Sequence, residues 1–122
     1  MSDCLFCKII AGEIPSQKVY EDEFAFGFQD IRPAAPQHYL IIPKQHIESL
    51  AQLTPKRAAD QGIELGQFMG SYYQSIMKFI EERGLHQNGF RLVTNTGKQA
   101  GQTVFHLHTH VLSGKQMSAQ MA

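Results

Sequence analysis

The stretch Gly101-Gln-Thr-Val-Phe-His-Leu-His-Thr-His-Val-Leu112 decides the fold of this 122-residue chain. It places three histidines on alternate positions, His106, His108 and His110. Alternate residues of an extended strand point to the same face, so this stretch predicts a strand with three imidazoles on one face. The opposite face would pack on a core and consists of Phe105, Leu107, Thr109 and Val111.

The spacing of the three histidines limits what they can bind together. On a strand, His106 and His110 lie on the order of 13 Å apart at the backbone. Zinc is bound by imidazole nitrogens at about 2.0–2.1 Å, so all three rings cannot easily reach one ion. The outer two histidines should therefore have separate roles.

A glycine-bearing loop, Asn95-Thr-Gly-Lys-Gln-Ala-Gly-Gln-Thr103, precedes the histidines. Glycine tolerates positive φ and lets the backbone approach a ligand closely. Gly97 and Gly101 are therefore expected to present amide donors to an anion, to which Thr103 would add a hydroxyl. Without the neighbouring histidines the loop would be an ordinary strand connection.

The remaining pattern predicts an α+β fold, with an antiparallel sheet of about five strands and one long and one short helix. A short helix is expected over 4–11, and a long helix begins at the capping residue Thr54 and ends at Gly84. The expected strands are 19–21, 24–29, 38–43, 90–93 and the histidine stretch.

Composition narrows the function classes. Eleven basic and eleven acidic side chains cancel, and no basic stripe is present, which argues against binding a nucleic-acid polymer. The N-terminus lacks a signal-peptide core and an apolar span of about 20 residues, so we expect a cytoplasmic protein without membrane contact. A chain of this length predicts a single domain over 1–122.

Three blocks of the sequence carry a resemblance to a known family. They are the histidine stretch, Asp30-Ile-Arg-Pro-Ala-Ala-Pro-Gln-His-Tyr-Leu-Ile-Ile-Pro-Lys-Gln-His46, and Phe6-Cys-Lys-Ile-Ile-Ala-Gly-Glu-Ile-Pro15. In this order they closely resemble the histidine triad (HIT) superfamily, Hint branch. The resemblance implies a HIT fold and hydrolysis of the P–N bond of purine nucleoside 5′-monophosphate phosphoramidates.

The resemblance assigns roles to four histidines. The neutral imidazole of His108 would attack the α-phosphorus and form a nucleotidyl-histidine intermediate, a step that needs no metal. His110 would contact the phosphate and help the leaving group, while His106 would orient the surroundings of His108. His38 matches a buried histidine that supports the triad.

The same resemblance places a purine nucleotide in the site. Asp30 matches a ribose ligand, although alone it would be interpreted as a turn residue before a proline. Phosphate or leaving group would be held by Asn95, Gly101, Gln102 and Thr103. The apolar slot for the purine would consist of Leu5, Phe6, Ile9, Phe28 and Ile31, which in isolation would be assigned to the core.

Cys4 and Cys7 have a C-x-x-C spacing, which suits a zinc half-site, a redox pair or a helix turn. No thioredoxin-like context surrounds them, so redox catalysis is the weakest interpretation. His46 and His106 would complete a Cys₂His₂ set, and some HIT proteins resemble this arrangement and bind zinc there. Structural zinc and a pair of reduced, buried thiols both stay open.

The expected long helix is apolar over about half of its circumference, more than one sheet requires. Gly62, Gly66 and Gly70 recur along its edge, which is typical of a close backbone approach but also fits a broad core helix. The Hint resemblance favours a homodimer.

Two residue choices depart from the family pattern. Thr109 stands where a hydrophobic residue is usual, and the chain has no tryptophan, whereas related tails often carry one.

A dinucleoside polyphosphate hydrolase and a purine-nucleotide-binding protein with incidental catalysis are the alternative functions.

Overall fold

The computed structural model describes residues 3–120, which form a five-stranded antiparallel sheet with three α-helices. The strand order is β1-β2-β3-β5-β4. The strands are β1 (Lys18–Glu21), β2 (Ala25–Gln29), β3 (Gln37–Pro43), β4 (Arg91–Val93) and β5 (Thr109–Ser113). The helices are α1 (Leu5–Ile10), α2 (Pro55–Asp60) and α3 (Leu65–Arg83), with short 3₁₀ turns at Leu50–Leu53, Leu85–Gln87 and Lys98–Ala100. The predicted α+β class and sheet are confirmed.

β3 lies at the centre of the sheet and separates two clusters of buried side chains. Tyr39 and Ile41 pack with the buried face of α3, while Leu40 and Ile42 pack with Phe6 of α1 on the other side. Alternation along the strand thus sends successive residues into different cores. The face under α1 is the one that carries the functional side chains.

The predicted long helix is two helices, which corrects the sequence interpretation. Thr54 caps α2 as expected, but α2 ends at Asp60, where Ile63 N–H donates to the Ala58 carbonyl at 2.8 Å and Gly62 adopts φ 73°. Gly62 N–H also donates to the Ala59 carbonyl at 3.0 Å, and the two bonds form the Schellman arrangement that a left-handed glycine permits. A new helix starts at Leu65, capped by Glu64, and ends at Gly84 as predicted.

α3 leaves two large apolar side chains exposed, Tyr73 and Met77. A Cβ on Gly70 would meet nothing within 4 Å, so no segment of the described chain approaches this glycine closely. The homodimer therefore stays a prediction. None of the helices within residues 3–120 is long and apolar enough to cross a membrane.

Only the C-terminal part of the histidine stretch forms a β-strand, whereas the sequence predicted a strand through all three histidines. β5 begins at Thr109, and the chain bends at residues 104–106. Leu107, Thr109 and Val111 are buried as predicted, whereas Phe105 is 48% exposed. The bend turns this phenylalanine away from the core.

Candidate functional site

His38 and His110 meet across the central strand pair. His110 lies opposite Leu40 in the β3–β5 register, and His38 stands two residues earlier on the same face of β3. His38 Nε2 and His110 Nδ1 are 2.9 Å apart. His38, which the resemblance predicts to support the triad, is thus in direct contact with the ring of His110.

The backbone sets the tautomer of His108. Its Nδ1 lies 2.8 Å from the carbonyl oxygen of His106. A carbonyl only accepts hydrogen bonds, so Nδ1 carries the proton and Nε2 of the neutral ring keeps its lone pair. His108 is 7% exposed, which limits alternative orientations of the ring. This is the protonation pattern that an imidazole nucleophile requires.

Two successive hydrogen bonds, beginning at the Ala34 backbone, set the tautomer of His110. The Ala34 N–H donates to His38 Nδ1 at 2.9 Å. A neutral His38 must then carry its proton on Nε2, which donates to His110 Nδ1. His110 in turn carries its proton on Nε2, where it is a donor. Sequence reasoning missed this role of Ala34 because a backbone N–H leaves no mark in the residue code.

Burial keeps the outer histidines neutral. It lowers the pKa of His110 to about 4, assisted by the neighbouring His108 and His38. Burial likewise lowers the pKa of His106 to about 4 and lowers that of His38, although Asp30 opposes the latter shift. Near pH 7 the imidazoles of His38, His106 and His110 are therefore neutral.

Asp30 lies beside these rings at the end of β2. Its Oδ2 is 3.3 Å from His38 Nε2 and 3.9 Å from His110 Nδ1, while Oδ1 accepts the Arg32 N–H at 2.7 Å. The three side chains are close enough for a metal ion. However, the proton on His38 Nε2 excludes that nitrogen as a ligand while Ala34 occupies Nδ1, so this cluster is a hydrogen-bonding site.

The residues of the predicted purine slot fall into a buried group and an exposed group. Phe6, Ile9 and Phe28 are buried in one cluster, and the Phe6 ring meets the His108 ring edge-on at 5.2 Å. Leu5 and Ile31 are exposed, Ile31 at 91%. The buried members thus form a floor beside the triad, and the exposed pair stands free for contact with a ligand.

In the glycine loop, two of the backbone amides predicted to bind phosphate form internal hydrogen bonds instead. The N–H groups of Gly101 and Gln102 donate to the carbonyls of Lys98 and Gly97 inside a 3₁₀ turn. The Gln102 side chain is also engaged, because it accepts from Gly97 N–H and donates to the Glu48 carbonyl. Gln102 therefore shapes the loop, and neither amide is free for a phosphate in this conformation.

Other groups of the loop stay available. Thr103 is exposed and Asn95 half-buried. Within residues 3–120, the backbone N–H groups of Thr103 and Val104 have no hydrogen-bond partner. These two amides can take the place of the ones that the turn uses.

The four predicted metal ligands converge. Cys4 Sγ lies 3.4 Å from His106 Nδ1, Cys7 Sγ lies 3.4 Å from His46 Nδ1 and 3.6 Å from His106 Nδ1, and the two Nδ1 atoms are 3.2 Å apart. A tetrahedral zinc ion with ordinary bond lengths has S···N edges of about 3.6 Å and an N···N edge of about 3.3 Å. The observed edges agree within about 0.2 Å, so these residues fit zinc.

Surrounding groups support the same assignment. His106 Nε2 donates to the Pro43 carbonyl at 2.8 Å, which leaves Nδ1 as the ligand nitrogen. Cys7 N–H donates to Cys4 Sγ at 3.3 Å. Burial, with the adjacent Cys4, raises the pKa of the Cys7 thiol to about 11, so a cation is needed to make it a thiolate near pH 7.

Thr109 stands where the family usually has a hydrophobic residue, and its hydroxyl has hydrogen-bond partners in this structure. It is fully buried, and its Oγ1 lies 2.8 Å from both the Tyr72 hydroxyl and the Thr94 hydroxyl. Tyr72 also donates to the Ile41 carbonyl at 2.7 Å. A buried hydroxyl with such partners avoids the cost of an unsatisfied polar group, and the strand geometry is retained.

The sequence is similar to known proteins over most of its length. The HIT domain family matches residues 11–117. Protein HitA of Neisseria gonorrhoeae is 44% identical over 112 residues, covering 92% of this chain and 96% of the relative. The purine nucleoside phosphoramidase of Escherichia coli K12 is 37% identical over 120 residues, covering 98% and 94%.

Solved structures give the same result. A histidine triad protein from Clostridium difficile has a TM-score of 0.86 at 40% identity, covering 99% of this chain and 98% of its own. A HIT family hydrolase from Clostridium thermocellum has a TM-score of 0.86 at 42% identity, covering 100% and 99%. The chain belongs to the HIT domain family, and its relatives support a hydrolase of that family.

Proposed function

We propose that this chain hydrolyses purine nucleoside 5′-monophosphate phosphoramidates at the P–N bond. The observation that carries the proposal is the tautomer of His108, whose Nδ1 is bonded to the His106 carbonyl so that Nε2 is a free nucleophile. The E. coli relative with the same named activity supports the choice of substrate class.

The reaction proceeds in two displacements. His108 Nε2 forms a bond to the α-phosphorus while the P–N bond breaks, and the departing nitrogen takes a proton from water. The hydroxide that this proton transfer leaves then attacks the phosphorus of the nucleotidyl-histidine, releasing the nucleoside monophosphate and restoring the neutral ring. The sum is phosphoramidate plus water giving nucleotide plus amine.

The neighbouring groups bind the phosphate through hydrogen bonds. His110 Nε2–H is a neutral donor, directed by His38 and Ala34, and suits a phosphoryl oxygen. The Thr103 hydroxyl and the free amides of Thr103 and Val104 are further donors. Donors that are already oriented stabilise the developing charge without reorganising, so the chemical step needs no metal.

Zinc in the Cys₂His₂ cluster would be structural. It would be held by Cys4, Cys7, His46 and His106, and would supply a fixed link between α1 and the chain before β5. His106 then serves two purposes, since its ring faces the cluster and its carbonyl holds His108.

The test is release of AMP from adenosine 5′-phosphoramidate by the wild-type protein without added metal. We expect AMP and ammonia in equal amounts, and a nucleotidyl adduct on the His108 peptide when the reaction is stopped by acid-free denaturation and analysed by mass spectrometry. AMP binding without turnover would reject the proposal, and dinucleoside polyphosphates would be tested next. If those too are left intact, the chain is a nucleotide-binding protein.

Asp30→Asn tests the sugar contact. A carboxylate that accepts ribose hydroxyls contributes about 1.5–3 kcal/mol per hydrogen bond, and Oδ2 is the oxygen that Arg32 leaves free. We expect AMP affinity, measured by calorimetry, to fall at least about tenfold. The affinity for 2′,3′-dideoxy-AMP should change by less than about twofold. Equal losses for both ligands would show that Asp30 acts on the fold and not on the sugar.

A further inference from the structure

Three hydroxyl groups form a continuous chain on the side of the sheet that packs with α3. Thr109 Oγ1 lies 2.8 Å from both the Thr94 hydroxyl and the Tyr72 hydroxyl. The Tyr72 hydroxyl in turn lies 2.7 Å from the Ile41 carbonyl. The catalytic steps above use none of these groups, although Thr109 is flanked in the chain by two of the triad histidines.

The carbonyl at the end of this hydroxyl chain fixes the direction of each hydrogen bond in it. A carbonyl only accepts, so the single proton of the Tyr72 hydroxyl is donated to Ile41. The Tyr72 oxygen then accepts the proton of Thr109, whose oxygen accepts that of Thr94. Thr109 and Tyr72 are fully buried, which shelters these bonds from water. The Thr94 hydroxyl is therefore tethered to a carbonyl of the central strand.

The tether lies where β4 ends and the glycine loop begins. The β4–β5 register ends with Val93 opposite His110, and its continuation sets Thr94 opposite Thr109. Their hydroxyl contact thus extends the strand pairing by one residue beyond the backbone pairs. Asn95, the expected ligand of phosphate or leaving group, is the next residue of the chain.

The Asn95 side chain has no anchor of its own. It makes no hydrogen bond to any residue in the range 3–120, and the residue is half-buried. The amide is therefore available to a ligand, while its position is set by the chain on either side. On the C-terminal side, the Gly97 N–H donates to the Gln102 side chain at 2.8 Å. On the N-terminal side, the anchor is the Thr94 hydroxyl.

We propose that Thr109 is a positioning residue, which acts through Thr94 to hold the Asn95 amide against a phosphoryl oxygen of the bound substrate. This inference rests on the proposed function and adds a residue to its machinery. A neutral amide N–H is a suitable donor to a phosphoryl oxygen, and displacing such a donor slightly removes much of its effect. The Thr109 hydroxyl, where the family usually has a hydrophobic side chain, thus contributes to the site from the opposite face of the sheet.

Thr109→Val tests the tether, because it removes the hydroxyl and keeps the branching of the side chain. We expect kcat/KM for adenosine 5′-phosphoramidate to fall about tenfold. Thr94→Val should give the same loss, whereas Thr109→Ser, which retains the hydroxyl, should stay within about threefold of the wild type. Ser75→Ala is the matched control, since it deletes a buried α3 hydroxyl that donates to Asp22 at 2.6 Å. It should lower the Tm and leave kcat/KM unchanged.

Combined variants test whether Thr109 acts through Asn95. Asn95→Ala should lower kcat/KM at least about tenfold, and adding Thr109→Val to it should change kcat/KM by less than about twofold further. AMP affinity, measured by calorimetry, should follow the same pattern. Losses that multiply in the double variant would overturn the proposal, because Thr109 would then act on the fold as a whole. A wild-type kcat/KM in either single variant would also overturn it, while the hydrolase stands.

Failure of the proposed function gives a different result. If the wild type binds AMP but releases none from the phosphoramidate, the hydrolase is rejected, and the AMP affinities of the same variants decide on the tether. An affinity that Thr109→Val leaves unchanged then overturns the positioning role. A wild type that binds no AMP rejects both proposals.

Discussion

Replacing His108 with alanine should reduce hydrolysis of adenosine 5′-phosphoramidate by at least about 10⁴-fold, because the variant has no atom to attack phosphorus. Binding should survive, since the proposed sugar contact at Asp30 and the donor at His110 are intact. We expect AMP affinity to stay within about threefold of the wild type. The measurement is steady-state AMP release together with calorimetric titration of AMP.

His108→Asn is the sharper variant of the same test. An asparagine amide can still donate to the His106 carbonyl, as His108 Nδ1 does at 2.8 Å, but offers no nucleophilic nitrogen. Both variants should therefore be equally inactive. If His108→Asn kept substantial activity, His108 would have a positioning role only. His86→Ala, which removes an exposed histidine outside the site, is the control and should match the wild type.

The sequence predicted the elements of the sheet because hydrophobic alternation and turn residues are local signals. The central strand β3 and the cap at Gly84 follow from such signals. The break between α2 and α3 was missed, although Gly62 marks it. Glycine within an apolar helical pattern was interpreted as a packing residue, whereas its φ of 73° ends a helix.

The candidate site, too, was predicted only in part. The candidate metal ligands and the candidate nucleophile were predicted from their chemistry and from the family resemblance, and the structure brings Cys4, Cys7, His46 and His106 together as expected. The atoms that fix protonation were not predictable, because they are backbone groups, the Ala34 N–H and the His106 carbonyl. The bend that exposes Phe105 has the same origin, since alternation describes only a chain that stays extended.

Removal of the proposed zinc should have the second large effect. The protein prepared without chelator should hold about one zinc per chain, and the Cys4→Ser, Cys7→Ser double variant none. Because a zinc ion at this cluster would link α1 to the chain before β5, its loss should lower the free energy of unfolding by a few kcal/mol. For a domain of this size, we expect the Tm to fall by about 10 °C, measured by circular dichroism.

Comparing each protein with and without chelator separates the metal from the serine substitutions. Chelator should lower the Tm of the wild type and leave that of the double variant unchanged, since the variant has no ion to lose. Zinc added back should restore the wild type alone. If the isolated wild type lacks metal and added zinc leaves its Tm unchanged, Cys4 and Cys7 are reduced thiols packed in the fold. The short ligand distances would then reflect packing of α1 against His106 and His46 alone.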